Sequence, residues 1–499
     1  MLGPGTMRFL LAALAVAASL GTQAAPIGYE GARHLLDRAG FGATDREIRE
    51  YATLDREQAV DRLLAGARRV AVTPPPEFVD DPIERPAKLR NDPQARKALA
   101  RKLVRQGLEL RAWWLTEMLD TPSPLTERMT LFWHNHFATS QQKVRFSQLM
   151  YRQNVLLRRE ALGNFATLLH EVAKDPAMLV WLDNARSRKG APNENFAREV
   201  MELFTLGVGH YSEQDVKEAA RAFTGWSIDP ATGAYRYRPF FHDGGEKVVL
   251  GRRGRLDGDD VLDILLAQPQ TANFIAEKMW REFVSPTPDE AEVQRWGTLF
   301  RAAHYEVKPL LRAVLLSDAF WSPGNRATLV KSPVDVVVGT LRTFDVHPAD
   351  LRPAAIACAV LGQNLFSPPN VKGWPGGDAW IDSATLLGRE QFVDRVFRGA
   401  DRGIMAPVAM TQEPPMMQDE KAESAQGGPG ARLQRLMQRG MGAYAFDDRR
   451  WLASLGAPVE TARLDRLVLA TAAVDPVPAS LDPAERVRAL VADPAYQLK

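Results

Sequence analysis

From about residue 30 to residue 400, apolar side chains recur at three- and four-residue spacing. Such a chain is committed to amphipathic helices, each of which must bury one face against another helix. Residues 30–66 read as two short helices joined by the turn Ala39-Gly40-Phe41-Gly42, with Thr44 as an N-cap. Leu99, Leu103, Leu110 and Trp114 mark one face of a long helix that runs to about Leu119. Ser123 and Pro124 open the next, and another covers about 147–173. Asn193 starts a helix that Gly207 ends, and Ser212 caps its successor, with Tyr211 and Val216 placed as a hydrophobic staple. The period fails once. Residues 235–241 alternate, Asp243-Gly244-Gly245 turns, and residues 247–250 return, which predicts a small β-hairpin. Helical spacing then resumes through residue 398. The expected fold is mainly α: a large multi-helix domain with a small inserted β-hairpin.

Composition narrows what such a bundle can do. Lys and Arg total 63 against 61 Asp and Glu, a net charge of +2, so there is no field that would gather nucleic acid. The basic stretch at 85–105 reads as the solvated face of the long helix. Cys358 is the only cysteine, so no intramolecular disulfide forms, and its Ala, Val and Leu neighbours predict a buried, inert thiol. Arg8, an apolar run over residues 9–20 and a small-residue exit predict a signal peptide over residues 1–24, cleaved after Ala24. The run is short for a bilayer span, so the mature chain is expected to carry no transmembrane segment and to reside in the periplasm or outside the cell. Domain organisation follows: a helical domain at 28–400, a flexible linker at 401–431, rich in Met, Pro, Gln and Gly, and a small helical segment at 432–499.

Seven stretches carry a family resemblance: residues 34–42 (HLLDRAGFG), 131–139 (LFWHNHFAT), 192–226 (PNENFAREVMELFTLGVGHYSEQDVKEAARAFTGW), 242–251, 258–266, 329–342 and 365–380 (LFSPPNVKGWPGGDAW). Over residues 28–400 the chain resembles the bacterial family called domain of unknown function 1800. The resemblance implies an exported, mainly helical protein. It assigns no catalytic residue, so chemistry has to be read from the side chains.

Three places invite it. His134, Asn135 and His136 offer imidazoles for acid–base work or for a divalent metal. On a continuous helix, however, the two rings point about 160° apart. The plainer reading is a core-facing His136 and an unrelated surface His134. On the helix from Asn193, Asn195, Arg198, Glu199 and Glu202 form one polar stripe. Glu199 and Glu202 are candidates for general acid and base, or for metal ligands together with His134 and His136. Asn195 and Arg198 would bind substrate. The alternative is a solvated face with an Arg198–Glu202 pair. In the loop 364–380, Asn370, Lys372, Trp374, Asp378 and Trp380 are candidate substrate contacts, the two indoles as platforms for sugar rings. Equally, Trp374 and Trp380 could be plugs between helices. Secondary candidates are His210, His242-Asp243 and the helix-start cluster Asp257, Asp259 and Asp260, which reads as capping. Two functions follow: a periplasmic hydrolase or lyase acting on a polar or saccharide substrate, or a non-catalytic periplasmic binding or assembly protein that holds an envelope partner with a helical groove and the Trp-bearing loop.

Overall fold

The computed structural model describes residues 25–83, 91–398, 444, 446–456 and 458–499. The expected signal peptide at 1–24 and linker at 401–431 lie outside the described residues.

The first helices are α1 (Gly28–Ala39), α2 (Asp45–Ala52) and α3 (Arg56–Ala65), three where the pattern predicts two. Thr44 and Asp55 each make a full capping box, with Glu47 and Gln58, and the second box starts the extra helix. Then come α4 (Pro93–Asp120), α5 (Pro124–His136), α6 (Ser147–Arg159) and α7 (Phe165–Lys174). The expected 147–173 helix is split because Asn164 turns its side chain to the N–H of Thr167 and starts a new helix. After α8 (Pro176–Trp181), α9 (Glu194–Glu199) continues into a π-helical segment, Val200–Leu206, that ends at Gly207 with φ +79°. Next are α10 (Glu213–Ala222), α11 (Gly258–Ala267), α12 (Pro269–Phe283), α13 (Glu290–Ala302), α14 (Val307–Leu316), α15 (Asp318–Trp321), α16 (Pro333–Thr343), α17 (Arg352–Val360) and α18 (Ser383–Arg398). The C-terminal segment supplies α19 (Asp448–Ser454), α20 (Thr461–Val468) and α21 (Pro483–Ala492). The protein is mainly α, as the periodicity predicts. No described helix is long and apolar enough to cross a membrane.

The β region is arranged differently from the expected hairpin. Residues 235–241 do not pair with 247–250. Instead β1 (Trp226–Ile228) pairs antiparallel with β2 (Tyr235–Tyr237), and β3 (Lys247–Val249) with β4 (Arg252–Gly254). Pro239 has no N–H to give a ladder and opens a 3-10 turn, so the strand stops there. The Asp243-Gly-Gly segment is held by other partners. Arg221 clasps Asp243 at 2.8 Å, and the Lys247 ammonium donates to the carbonyls of Asp243, Gly245 and Leu256.

Two apolar clusters make the interior. The first gathers α3, α7 and α10–α14 around Trp133, Phe165, Phe196 and Trp296. The second joins α4, α16, α17 and α18 to α19–α21. Helix α5 serves both, with Trp133 in the first and Leu131 in the second. Where α4, α5 and α6 meet, Glu127 receives both arms of Arg158 at 2.6 and 2.8 Å and the Trp114 indole N–H at 2.8 Å. A buried charge pair that is hydrogen-bonded this fully can be tolerated in a core. Cys358 is buried in the second cluster and is a free thiol, pushed well above its ordinary pKa by desolvation.

Candidate functional site

Helix α5 aims His134 and His136 into different surroundings. The His134 ring lies in an aromatic cage, with centroids 5.4 Å from Trp114, 5.4 Å from Phe366 and 5.6 Å from Trp374. Burial pushes its pKa down to about 3, and its Nε2 has no hydrogen-bond partner. The expectation of a surface His134 is therefore corrected: both rings are buried. His136 Nε2 lies 3.2 Å from the Phe204 carbonyl, which can only accept, so the proton sits there. Its Nδ1 accepts from the Lys278 ammonium at 3.0 Å. Burial, and then the Lys278 charge, hold His136 neutral. Neither ring meets the other, and no cluster of three or more His, Cys, Asp or Glu among the described residues could hold a metal ion. The divalent-metal expectation for His134, His136, Glu199 and Glu202 gains no donor set.

The acceptors for His136 and Lys278 come from the π segment. An α-helix would spend the Leu203 and Phe204 carbonyls differently; here they receive Lys278 at 3.4 Å and His136. Lys278 also stacks on the Phe274 ring at 4.6 Å. With no carboxylate in contact, burial draws its amine down to about 8. Glu277 is the charge that opposes this; Glu199 and Glu202 do not act on it. Among the described residues, no hydrogen bond or ion pair joins either histidine to Glu199 or Glu202.

The polar stripe keeps part of its expected form. Glu199 and Glu202 are half-buried neighbours. Burial, and then the charge of Glu202, raise the Glu199 pKa, while Lys372 lowers it. Glu202 accepts the Tyr211 hydroxyl at 2.5 Å. Arg198 does not pair with Glu202. It forks onto Glu213, at the start of α10, through two 2.7 Å bonds. Asn195 is exposed, and its backbone N–H donates to the Asn193 side chain.

The loop 364–380 departs further from expectation. Trp374 is 4% exposed and Trp380 7%, so neither offers a sugar platform. Asn370, Lys372 and Asp378 are exposed. Asn370 accepts the Lys372 N–H at 2.9 Å, a local turn. What fixes the loop is Asn135, the residue between the two histidines. Its Oδ1 accepts the Trp374 N–H at 2.7 Å, and its Nδ2 faces the Trp374 carbonyl at 3.4 Å. Gly373, at φ +84°, lets the loop approach this closely, since an added Cβ would sit 2.2 Å from Asn135 Oδ1. The loop thus meets α5 through Asn135 and the Trp374 ring, and Lys372 lies near enough to Glu199 to lower its pKa.

A larger concave feature lies elsewhere. A cavity of about 710 Å³ opens between α1, the turn before α16 and the segment following α20. Its walls carry Arg33, His34, Asp37, Arg326, Asp465 and Arg466. His34 donates from Nε2 to the Phe320 carbonyl at 2.9 Å, and burial with nearby arginines drops its pKa to about 3. Arg33 is spent on the Leu467 and Val468 carbonyls and on Asp37. Arg486 is spent on Asp465. Two guanidinium groups are less engaged. Among the described residues, Arg326 lies 3.7 Å from Glu30 with its Nε unpartnered, while Arg466 donates only to a carbonyl of its own helix, Ala462, at 3.1 Å and lies 5.8 Å from the Tyr29 ring. Beneath the cavity, Lys331 rests on the Tyr496 ring at 4.0 Å, with its pKa lowered to about 7. A second cavity, of about 620 Å³, lies between α2, the α4–α5 turn and Arg342. His34 stands in a sequence motif that assigns it no role, because the arginines opposite it come from residues near 326 and 466.

No curated protein and no solved structure matches the chain. One family model does, from residue 34 to residue 498, and so reaches past the 28–400 stretch into the C-terminal helices. Over nearly its whole length, this helical chain belongs to the family described as "Protein of unknown function (DUF1800)".

Proposed function

We propose that the protein is an exported binding or assembly protein of the cell envelope, resident in the periplasm or outside the cell. Its ligand site is the charged cavity between α1 and the C-terminal segment. The cavity's size carries this reading: about 710 Å³ is in the range that encloses most of a small ligand. The two under-used guanidinium groups, Arg326 and Arg466, favour a polar ligand that bears a carboxylate or phosphate, an acidic saccharide among them. A second reading, a hydrolase or lyase acting on a polar or saccharide substrate, rests on one observation. Glu199 and Glu202 are half-buried side by side with the pKa of one raised, the disposition of an acid–base pair.

One experiment separates the two. Thermal unfolding is followed with inorganic phosphate, citrate and glucuronate, in the native chain, in Arg326→Gln/Arg466→Gln and in Glu199→Gln. The binding reading expects an anion to raise the melting temperature of the native chain and of Glu199→Gln by several degrees, and to leave the double variant unmoved. A response lost in Glu199→Gln and kept in the double variant overturns it in favour of the carboxylate pair. No response in any chain removes the anion site.

A further inference from the structure

Among the described residues, the most exposed aromatic surface belongs to neither site. Phe240 is 90% exposed, and Tyr237 and Phe241 beside it are 41% and 37% exposed. The two phenyl rings touch edge to face, with centroids 5.7 Å apart. They stand on a rigid base. Pro239 sets the 3-10 turn that carries them. The preceding strand β2 is hydrogen-bonded to β1, whose Trp226 is buried against Phe223 at 5.1 Å. The Phe241 carbonyl accepts the Lys189 N–H at 2.7 Å, and the Gly225 carbonyl accepts the Arg238 N–H at 2.8 Å. The rings are therefore held out by the fold, not left over from a loose loop.

The Lys189 bond also brings a basic strip alongside. Arg186, Arg188 and Lys189 are exposed and form no ion pair among the described residues. Arg238 lies 6.0 Å from the Phe241 ring, its Nε unpartnered. The acids of the two hairpins are already neutralised: Asp229 by Arg236 at 3.0 Å, Asp243 by Arg221 at 2.8 Å and Glu246 by Arg253 at 2.8 Å. The face presents projecting aromatics with unpaired positive charge on the Arg186–Lys189 side, while Asp257 acts on Tyr237 at the base. The chain as a whole is nearly neutral, so this is a local arrangement and not a consequence of composition.

From this juxtaposition we propose that the Pro239–Phe241 turn is a membrane-docking prong. Phe240 and Phe241 enter the headgroup layer of an anionic lipid surface, and Arg186, Arg188, Lys189 and Arg238 meet its phosphates. Shape favours a bilayer over a protein partner. The rings crown a convex turn, whereas a protein hot spot seats its aromatics in a pocket at the centre of a flat face. The cations make no fixed pattern of pairs, which suits a diffuse layer of headgroups.

Co-sedimentation tests it. The full chain is spun with vesicles of phosphatidylcholine alone and of phosphatidylcholine with a third phosphatidylglycerol. The native chain should pellet with the anionic vesicles, and half-molar salt should release it. Phe240→Ser/Phe241→Ser should bind at least tenfold more weakly, since two phenyl rings no longer leave water. Arg186→Glu/Arg188→Glu/Lys189→Glu should lose at least as much, at about fivefold per basic residue near the surface. All five substituted residues are exposed, so unchanged melting temperatures confirm intact folds. Any binding by the apolar run at residues 9–20 is present in every chain and cancels in the comparison. Equal pelleting of the native and phenylalanine-substituted chains overturns the proposal. So does failure of the native chain to bind anionic vesicles, which would leave the face to a protein partner.

Discussion

At the scale of single residues, Lys278 carries a charge that burial opposes and no carboxylate contact offsets among the described residues. Its ammonium has the His136 Nδ1 at 3.0 Å, the Leu203 carbonyl at 3.4 Å and the Phe274 face at 4.6 Å, but no carboxylate among the described residues. Burial lowers its pKa from 10.5 to about 8, so the folded state gives up the proton more readily than the unfolded chain does. Between pH 8 and about 10.4 the unfolded chain then binds more protons, and stability rises with pH across that window. Below pH 8 both states are charged and the full cost of burying the ammonium is present. Lys278→Met removes the titration. The difference in unfolding free energy between the native chain and the variant should be flat from pH 6 to 7.5 and should shift in favour of the native chain from pH 8 to 10. Urea denaturation at half-unit steps measures it, and parallel curves would refute the assignment. Because other alkaline groups titrate alike in both chains, the difference isolates Lys278.

At the scale of elements, α5 and the loop 364–380 are joined by a backbone clamp 239 residues apart in sequence. Asn135→Ala would leave the Trp374 N–H buried without a partner, a loss of about 1–3 kcal/mol. Gly373→Ala should cost more, because its Cβ would meet both Oδ1 and the carbonyl of Asn135 at a positive φ. The double variant should cost less than the sum, since Asn135→Ala removes one of the two clashing oxygens. A coupling of about 0.5 kcal/mol or more in urea midpoints checks this, and strict additivity would contradict the clamp. The helices themselves were legible because their signals are local: Thr44, Ser212 and Ser332 each carry a cap and its partner three residues on. The clamp was not, because Asn135 works through backbone that no spacing rule connects to it. The π segment was also hidden, since one wider turn in Val200–Leu206 hardly disturbs the apolar period. Trp374 and Trp380 read the same in a Gly/Pro loop whether buried or open, and only tertiary packing decides: Trp374 lies against the His134 ring and Trp380 in the second core cluster. Arg198 had two acidic partners within reach of its length, and the position of α10 selects Glu213 over Glu202.

At the scale of the whole molecule, the C-terminal helices complete the second core. Leu464, Leu467, Val487, Leu490 and Tyr496 are buried in the same cluster as Val337, Leu341 and Phe392. Polar ties run across the same boundary. Arg33 donates to the Leu467 and Val468 carbonyls, Arg463 forks onto Asp45, and Arg389 donates to Gln497 at 3.1 Å. The Tyr496 hydroxyl meets Thr340 at 2.8 Å. Lys499 reaches Asp335 at 2.9 Å; that carboxylate also takes Arg128 and is held well below its usual range by the two cations. Such an interface is a domain core cut in two, and it does not depend on the covalent path between its halves. The expected linker at 401–431 should therefore be dispensable once the chain has folded. A cleavage site for a specific endoprotease placed there allows the folded protein to be nicked. The fragments 25–400 and 432–499 should then co-elute in gel filtration and unfold together, with the melting temperature lower by only a few degrees, because cutting removes little more than the entropy of one closed loop. Spontaneous release of the 432–499 fragment would mean that the second core closes without it, and the cavity wall built by Asp465 and Arg466 would leave with it.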